Sequence, residues 1–151
     1  EIQVELVEQA RKTNPEAIIF NKAVGVKNEK IDIFLAKNFG PNVRGGSSIL
    51  EDKIPENRLF QKRKCECIDF VDYLRKQRNN GYDFIVVKMD IEGAEYPIIK
   101  RLKEVYDNDK VSLIDYLMIE FHPKVLKSES FSNKDVLSWL DQMNVVTSQW
   151  V

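Results

Sequence analysis

The run 86–97 (VVKMDIEGAEYP) constrains the fold of this chain more than any other stretch. Apolar residues end on Asp90, a second acid and a glycine follow at Glu92 and Gly93, and a helical pattern then begins. The run predicts a buried strand, a tight turn and a helix whose first turn contains Pro97. Because open α/β sheets bind ligands at the carboxyl ends of their strands, we expect a functional site at this turn.

The rest of the chain alternates strand and helix patterns, which predicts an α/β fold with a largely parallel sheet and right-handed crossovers. We expect helices at 3–12, from Asp69 onward, at 93–106 and at 132–143, with Asp69 and Ser132 as N-caps. We expect strands at 17–24, 30–36, 62–68, 84–89, 114–121 and 145–150, and a loop at 39–57 with a short extended piece at 47–50. The apolar strand 84–89 is predicted to be covered on both faces.

The composition indicates a single globular domain and disfavours some classes of binding partner. The 151 residues, 43% hydrophobic and 31% charged, suit one globular domain. A formal charge of -1 gives no general reason to expect nucleic acid or an anionic membrane as partner. No apolar run approaches the roughly 20 residues of a membrane span, and no leader pattern opens the chain. Cys65 and Cys67 are too few for a disulfide framework, so we expect ordinary strand residues. A cytoplasmic protein is the expectation, with a secreted enzyme as the alternative.

Five segments, taken in order, resemble the FkbM-type methyltransferases. They are 21–25 (NKAVG), 45–48 (GGSS), 67–74, 88–95 (KMDIEGAE) and 119–122 (IEFH). The resemblance runs from Glu1 to about Pro123, and its most specific part is KMDIEGAE. It implies a Rossmann-like fold with helices on both faces of the sheet. It also implies S-adenosylmethionine as methyl donor and O-methylation of a hydroxyl on a sugar, lipid or small metabolite.

The same resemblance implies an incomplete domain. The family begins with a strand, a glycine-rich loop and a helix that cradle the donor, and none of the six glycines forms such a turn near the start of this chain. We therefore expect 1–151 to be one partial domain that lacks this first unit and starts near the end of the second strand. Glu1 would then accept hydrogen bonds from the ribose hydroxyls of the donor. The alternative is that Glu1 is an ordinary terminal residue.

Asp90, Glu92 and His122 are the candidate catalytic residues, and Asp90 is also a candidate donor contact. A carboxylate at a strand end can hold a hydroxyl or accept its proton, and histidine side chains titrate near neutral pH and can do the same. Neighbouring parallel strands end close together, so we expect His122, with Glu120 on its face of the strand, to lie opposite Asp90.

Each of these residues also has a structural alternative. Asp90 could cap the following helix, and the single histidine could simply be a structural residue. Glu92 could only interact favourably with the positive end of the helix dipole, and Glu95 is expected mainly to do so. A metal site at Asp90, Glu120 and His122 is not predicted, because the chain has one histidine and no ligand-spaced repeat.

Two other functions remain open on sequence alone. One is a non-catalytic remnant of the fold that binds a ligand or a partner, which the missing glycine loop supports. The other is a Rossmann enzyme acting on a sugar nucleotide or a nicotinamide cofactor, which the lack of a dinucleotide fingerprint disfavours.

Overall fold

The computed structural model describes residues 4–36, 60–122 and 132–149. The described helices are α1 Val4–Thr13, α2 Phe70–Asn79, α3 Glu95–Asp109 and α4 Asn133–Gln142. The described strands are β1 Ala23–Gly25, β2 Glu29–Ala36, β3 Phe60–Asp69, β4 Val86–Met89, β5 Tyr116–Ile119 and β6 Val146–Gln149. Glu1 and the predicted loop 39–57, with its extended piece at 47–50, lie outside the described residues. Among the helices just given, none is both long and apolar enough to cross a bilayer.

The described strands form two three-stranded sheets. In one, β4, β5 and β6 are all parallel, with Met89 opposite Ile119 and Ile119 opposite Gln149. In the other, β3 lies between β1, to which it is parallel, and β2, to which it is antiparallel. The α/β class and a parallel sheet are confirmed. The described strands nevertheless differ from the single sheet we expected, and a Rossmann-like order for the whole domain stays a prediction.

One hydrophobic core joins α2, α3 and α4 to the parallel sheet. The predicted stripe of α3 supplies Ile98, Ile99, Leu102 and Val105, all buried. Opposite it lie Leu117 and Ile119 of β5, both fully buried, and Val136 and Leu140 of α4. Each such side chain contributes about 1.5–3 kcal/mol on burial, so this packing fixes how α3 meets the carboxyl ends of β4 and β5.

The predicted helix caps are present. The Asp69 carboxylate accepts a hydrogen bond from the Asp72 backbone N–H at 3.1 Å, and its other oxygen lies 3.3 Å from the Arg101 guanidinium. Ser132 and Asp135 form a reciprocal capping box at the start of α4. Pro97 lies in the first turn of α3, where its missing N–H breaks no helical hydrogen bond.

The predicted strand 17–24 is wrong for most of its length. Only Ala23 and Val24 of that run are in β1, and the Ile18 side chain is 83% exposed. Phe20 instead makes an edge-to-face contact with Tyr73 of α2, with ring centroids 6.0 Å apart. Phe20 thus packs on a helix surface, which the run of apolar residues alone does not distinguish from pairing in a sheet.

The expectation that strand 84–89 is covered on both faces is also wrong for the described structure. Val87 and Met89 are buried, whereas Val86 is 52% exposed and Phe84, just before the strand, is 68% exposed. Within the described ranges β4 pairs only with β5. Buried and exposed residues alternate along β4, so one face of the strand is covered in the described structure and the other is exposed.

Cys65 and Cys67 are free thiols on neighbouring inward positions of β3, as expected of ordinary strand residues. Burial raises the pKa of both thiols, which lowers their reactivity. Cys67 also lies against Gly25 of β1, because a β-carbon added at Gly25 would come within 2.8 Å of the Cys67 sulfur. The β1–β3 pair thus depends on a residue without a side chain at position 25.

We expect Gly25→Ala to lower the free energy of unfolding by about 1–3 kcal/mol, because the new methyl group overpacks against the Cys67 sulfur. Urea unfolding measures this loss. The double variant Gly25→Ala with Cys67→Ala removes that sulfur and should lose less stability than the two single losses added together. Strict additivity of the single losses would contradict the contact.

Candidate active site

The ends of β4 and β5 bring the predicted site residues to one edge of the parallel sheet. Asp90 directly follows β4 and Glu120 directly follows β5. The Glu120 backbone N–H donates to the Met89 carbonyl at 3.0 Å, so the two strands stay in register up to their last residues. His122 follows two residues later. The acids of the turn and the imidazole therefore share one rim, at the carboxyl end of the strands.

His122 is the centre of this rim. Its Nε2 lies 3.6 Å from Glu92 Oε2, 3.8 Å from Glu120 Oε1 and 3.9 Å from Asp90 Oδ1. The His122 side chain is 16% exposed and that of Asp90 is 45% exposed, so the group faces solvent from one side. The structure thus places Asp90, Glu92 and His122 together, as the sequence predicts, and their chemical roles remain to be tested.

The turn that carries Glu92 has an uncommon backbone. Glu92 has φ of 57° and Gly93 has φ of 108°, so two successive residues lie at positive φ. Glycine adopts this region freely, whereas a side chain there costs about 1–3 kcal/mol and persists only where surrounding contacts impose it. Here the conformation carries the Glu92 carboxylate to the imidazole.

Glu95 has a larger part in this geometry than the sequence suggested. Its side chain is 0% exposed, and its two oxygens accept the backbone N–H groups of Ile91 at 2.9 Å and Gly93 at 2.7 Å. The same carboxylate lies 3.0 Å from His122 Nδ1. The expectation that Glu95 mainly favours the helix dipole is therefore too narrow.

The turn is thus closed from the helix rather than by Asp90. The N-cap of α3 is Ala94, which makes no side-chain cap hydrogen bond, so the alternative in which Asp90 caps this helix is not what the structure shows. In the sequence, the sign of this unusual helix start is an alanine, which cannot cap, at the N-cap position, with an acid directly after it. That local pattern does not predict the contact between Glu95 and His122, which lie 27 residues apart.

Tyr96, the next residue of α3, contacts both α4 and the segment that carries His122. Its hydroxyl donates to Asn133 Oδ1 at 2.7 Å, and its ring lies 5.8 Å from the ring of Phe121. Burial, with a smaller contribution from the neighbouring Glu95 carboxylate, raises the pKa of Tyr96 to about 12. Tyr96 therefore stays a neutral hydrogen-bond donor and links the start of α3 to α4 and to the segment that carries His122.

Two predicted features of the site stay predictions. Glu1, the expected ribose contact, lies outside the described residues. Asp90, Glu92 and His122 each offer one ligand atom, all within 4.8 Å of one another, a spacing that could suit a divalent cation as well as an acceptor hydroxyl. The expectation of no metal site is accordingly untested.

Comparison with known proteins now decides the family. A family model described as the methyltransferase FkbM domain matches residues 3–146, a range that contains every described site residue. The chain belongs to the FkbM methyltransferase family. No curated protein and no solved structure matches the chain significantly. The predicted resemblance to this family is thus confirmed, and the KMDIEGAE and IEFH segments lie at one rim of the domain.

We expect the free energy of unfolding of this FkbM domain to fall at alkaline pH, because the buried Tyr96 hydroxyl ionises less readily in the folded state than in the unfolded state. The unfolded tyrosine ionises near pH 10 and the folded one near 12, so its contribution is complete below pH 10 and is lost as pH rises toward 12. The loss reaches at most about 1.4 kcal/mol per pH unit.

Chemical denaturation of the wild type and Tyr96→Phe across this pH range measures the effect. At neutral pH the variant should be less stable by about 1 kcal/mol, because it lacks the hydrogen bond to Asn133. The difference should shrink from pH 10 to 12. A difference that stays constant would show that Tyr96 ionises normally.

Proposed function

We propose that this FkbM domain transfers the methyl group of S-adenosylmethionine to a hydroxyl oxygen of a sugar, lipid or small metabolite. Membership of a methyltransferase family supports the reaction type. The single observation that carries the assignment of the site is the imidazole of His122, whose Nε2 lies within 4 Å of three carboxylates at the carboxyl rim of the sheet. Rims of this kind are where open α/β sheets bind their ligands.

His122 is the proposed proton acceptor. A hydroxyl is a weak nucleophile until a base removes its proton, and a positioned base contributes about 10²–10⁴-fold to such a step. The Nε2 atom of His122 lies among three partly exposed carboxylates, where the acceptor hydroxyl would bind. The carboxylates of Asp90, Glu92 and Glu120 would stabilise the imidazolium that forms, since charges in a partly buried site interact more strongly than in water.

Asp90 and Glu92 are the proposed contacts for the acceptor. A carboxylate accepts hydrogen bonds from two hydroxyls at once, which suits sugars and other polyols. The same acids repel phosphates and carboxylates, so we propose an uncharged or cationic acceptor. Orienting the acceptor oxygen would supply much of the rate enhancement, because the displacement needs the reacting atoms in line.

The donor fits the acidic character of the rim. When bound, S-adenosylmethionine supplies an electrophilic methyl group on a cationic sulfur. Asp90, the most exposed acid of the described rim, would attract that cation and serve as a donor contact, and Glu1 would hold the ribose hydroxyls. These assignments rest on the resemblance of the sequence to the family and on the position of Asp90 at the end of β4.

Binding of the donor and transfer of the methyl group are tested separately. We expect calorimetric titration to show binding of S-adenosylmethionine and of its demethylated product. We expect radiolabelled donor to methylate at least one compound among simple glycosides, a long-chain alcohol and a small diol. Absence of donor binding by the full-length protein would contradict the proposal, and donor binding without any transfer would instead support a non-catalytic remnant.

Variants then test the proposed residues. We expect His122→Ala to lower kcat by about 10²–10⁴-fold with little change in donor affinity, because it removes the proton acceptor. Asp90→Asn should weaken binding of the donor, of the acceptor or of both.

Asp107→Asn is the matched control. Asp107 is an exposed acid paired with Lys103, and it lies twelve residues along α3 from Glu95, about 18 Å at 1.5 Å per residue. Its removal should leave kinetics and binding unchanged. Equal losses in the control and in His122→Ala would show a general effect of charge or folding instead of a site.

A further inference from the structure

Capping of α3 alone does not explain why the Glu95 carboxylate is buried. Helices α2 and α4 begin with the ordinary caps Asp69 and Ser132. Helix α3 instead begins after Ala94 and buries an acid completely at its first position. Burying a carboxylate is unfavourable unless hydrogen bonds compensate, so the contacts of Glu95 indicate its role. Two of those contacts are backbone N–H groups of the turn, and the third is the imidazole of His122.

The contact with His122 selects one form of the imidazole. An ionised carboxylate only accepts hydrogen bonds, so with Glu95 ionised the 3.0 Å contact is a hydrogen bond only when His122 Nδ1 carries the proton. In the neutral imidazole the other nitrogen, Nε2, then carries the lone pair. The three carboxylates around Nε2 lie 3.6–3.9 Å from it, beyond hydrogen-bond distance. The lone pair therefore lies among these partly exposed carboxylates without a hydrogen bond to any of the three, at the position where the acceptor hydroxyl would bind.

We propose that Glu95 is a positioning residue that holds His122 with Nδ1 protonated and Nε2 ready to accept a proton. This inference rests on the proposed function. In the step it serves, the acceptor O–H bond breaks and its proton moves to Nε2. The oxygen forms a bond to the methyl carbon as the carbon–sulfur bond breaks, and that electron pair stays on sulfur. The Glu95 carboxylate stabilises the resulting imidazolium through Nδ1.

A second effect of Glu95 favours the same form. Without a partner at Nδ1, the negative charge of Asp90, Glu92 and Glu120 would draw the imidazole proton to Nε2. A proton on Nε2 would point at the incoming hydroxyl and block its deprotonation. Glu95 competes for that proton from the buried side, with the shorter distance of 3.0 Å.

The position of the proton can be measured directly because His122 is the only histidine in the chain. Long-range ¹H–¹⁵N spectra of the uniformly labelled protein distinguish the two tautomers at a pH where the imidazole is neutral. A chelator is added throughout, since a metal ion on Nε2 would also leave the proton on Nδ1. We expect Nδ1–H in the wild type and in Asp107→Asn, and a large Nε2–H population in Glu95→Gln. A predominant Nε2–H form in the wild type would overturn the proposal.

Kinetics separate this role from support of the turn alone. We expect Glu95→Gln to lower kcat by about 10²–10⁴-fold, the range for loss of a positioned base. If Glu95 acts through His122, adding Glu95→Gln to His122→Ala costs far less in kcat than Glu95→Gln costs in the wild type. If Glu95 only supports the turn, the two losses multiply, and that result would overturn the proposal.

The tautomer experiment also keeps this inference distinct from the proposed function. A protein that transfers no methyl group but holds Nδ1–H in a Glu95-dependent manner would refute the function and leave the Glu95–His122 link in place. Methyl transfer by a protein with Nε2–H would support the function and refute the proposed role of Glu95. Thermal unfolding of each variant shows whether the protein measured is folded.

Discussion

The site depends on the contacts that the buried Glu95 carboxylate makes with the turn and with His122. This carboxylate accepts the backbone N–H groups of Ile91 and Gly93 and meets His122 Nδ1, so one side chain closes the turn and holds the imidazole. Hydrogen bonds to a charged acceptor contribute about 1.5–3 kcal/mol each, which offsets the cost of burying the charge. The positive φ of Glu92 persists within this frame, because the turn on both sides of it is tied to the helix.

Hydrophobic packing sets the frame in which Glu95 acts. The apolar stripe of α3 lies in the same core as β5 and α4, and the Tyr96 hydroxyl fixes the start of α3 to Asn133. Parallel pairing of β4 with β5 then brings Asp90 and Glu120 side by side. The chemistry proposed for an FkbM domain thus follows from two strand ends and one helix start that meet at a single edge.

Much of this arrangement could be predicted from local pattern. The caps Asp69 and Ser132 and the stripe of α3 follow from residue types at fixed spacing, and the meeting of Asp90 with His122 follows from the rule that parallel strands end at one edge. The predictions that were wrong concern features that depend on tertiary contacts. The run containing Phe20 packs on α2, and Val86 is half exposed. The link from Glu95 to His122 joins residues far apart in sequence, which no local spacing encodes.

Amide hydrogen exchange at Ile91 and Gly93 tests the central claim most directly. Both N–H groups lie in a turn, where exchange is ordinarily fast, yet each is bound to the buried Glu95 carboxylate. If Glu95 holds the turn, both amides exchange as slowly as those in the middle of α3, since only unfolding of the turn would expose them. Exchange at the rate of an open loop would show that Glu95 does not hold the turn, and the geometry proposed for His122 would lose its basis.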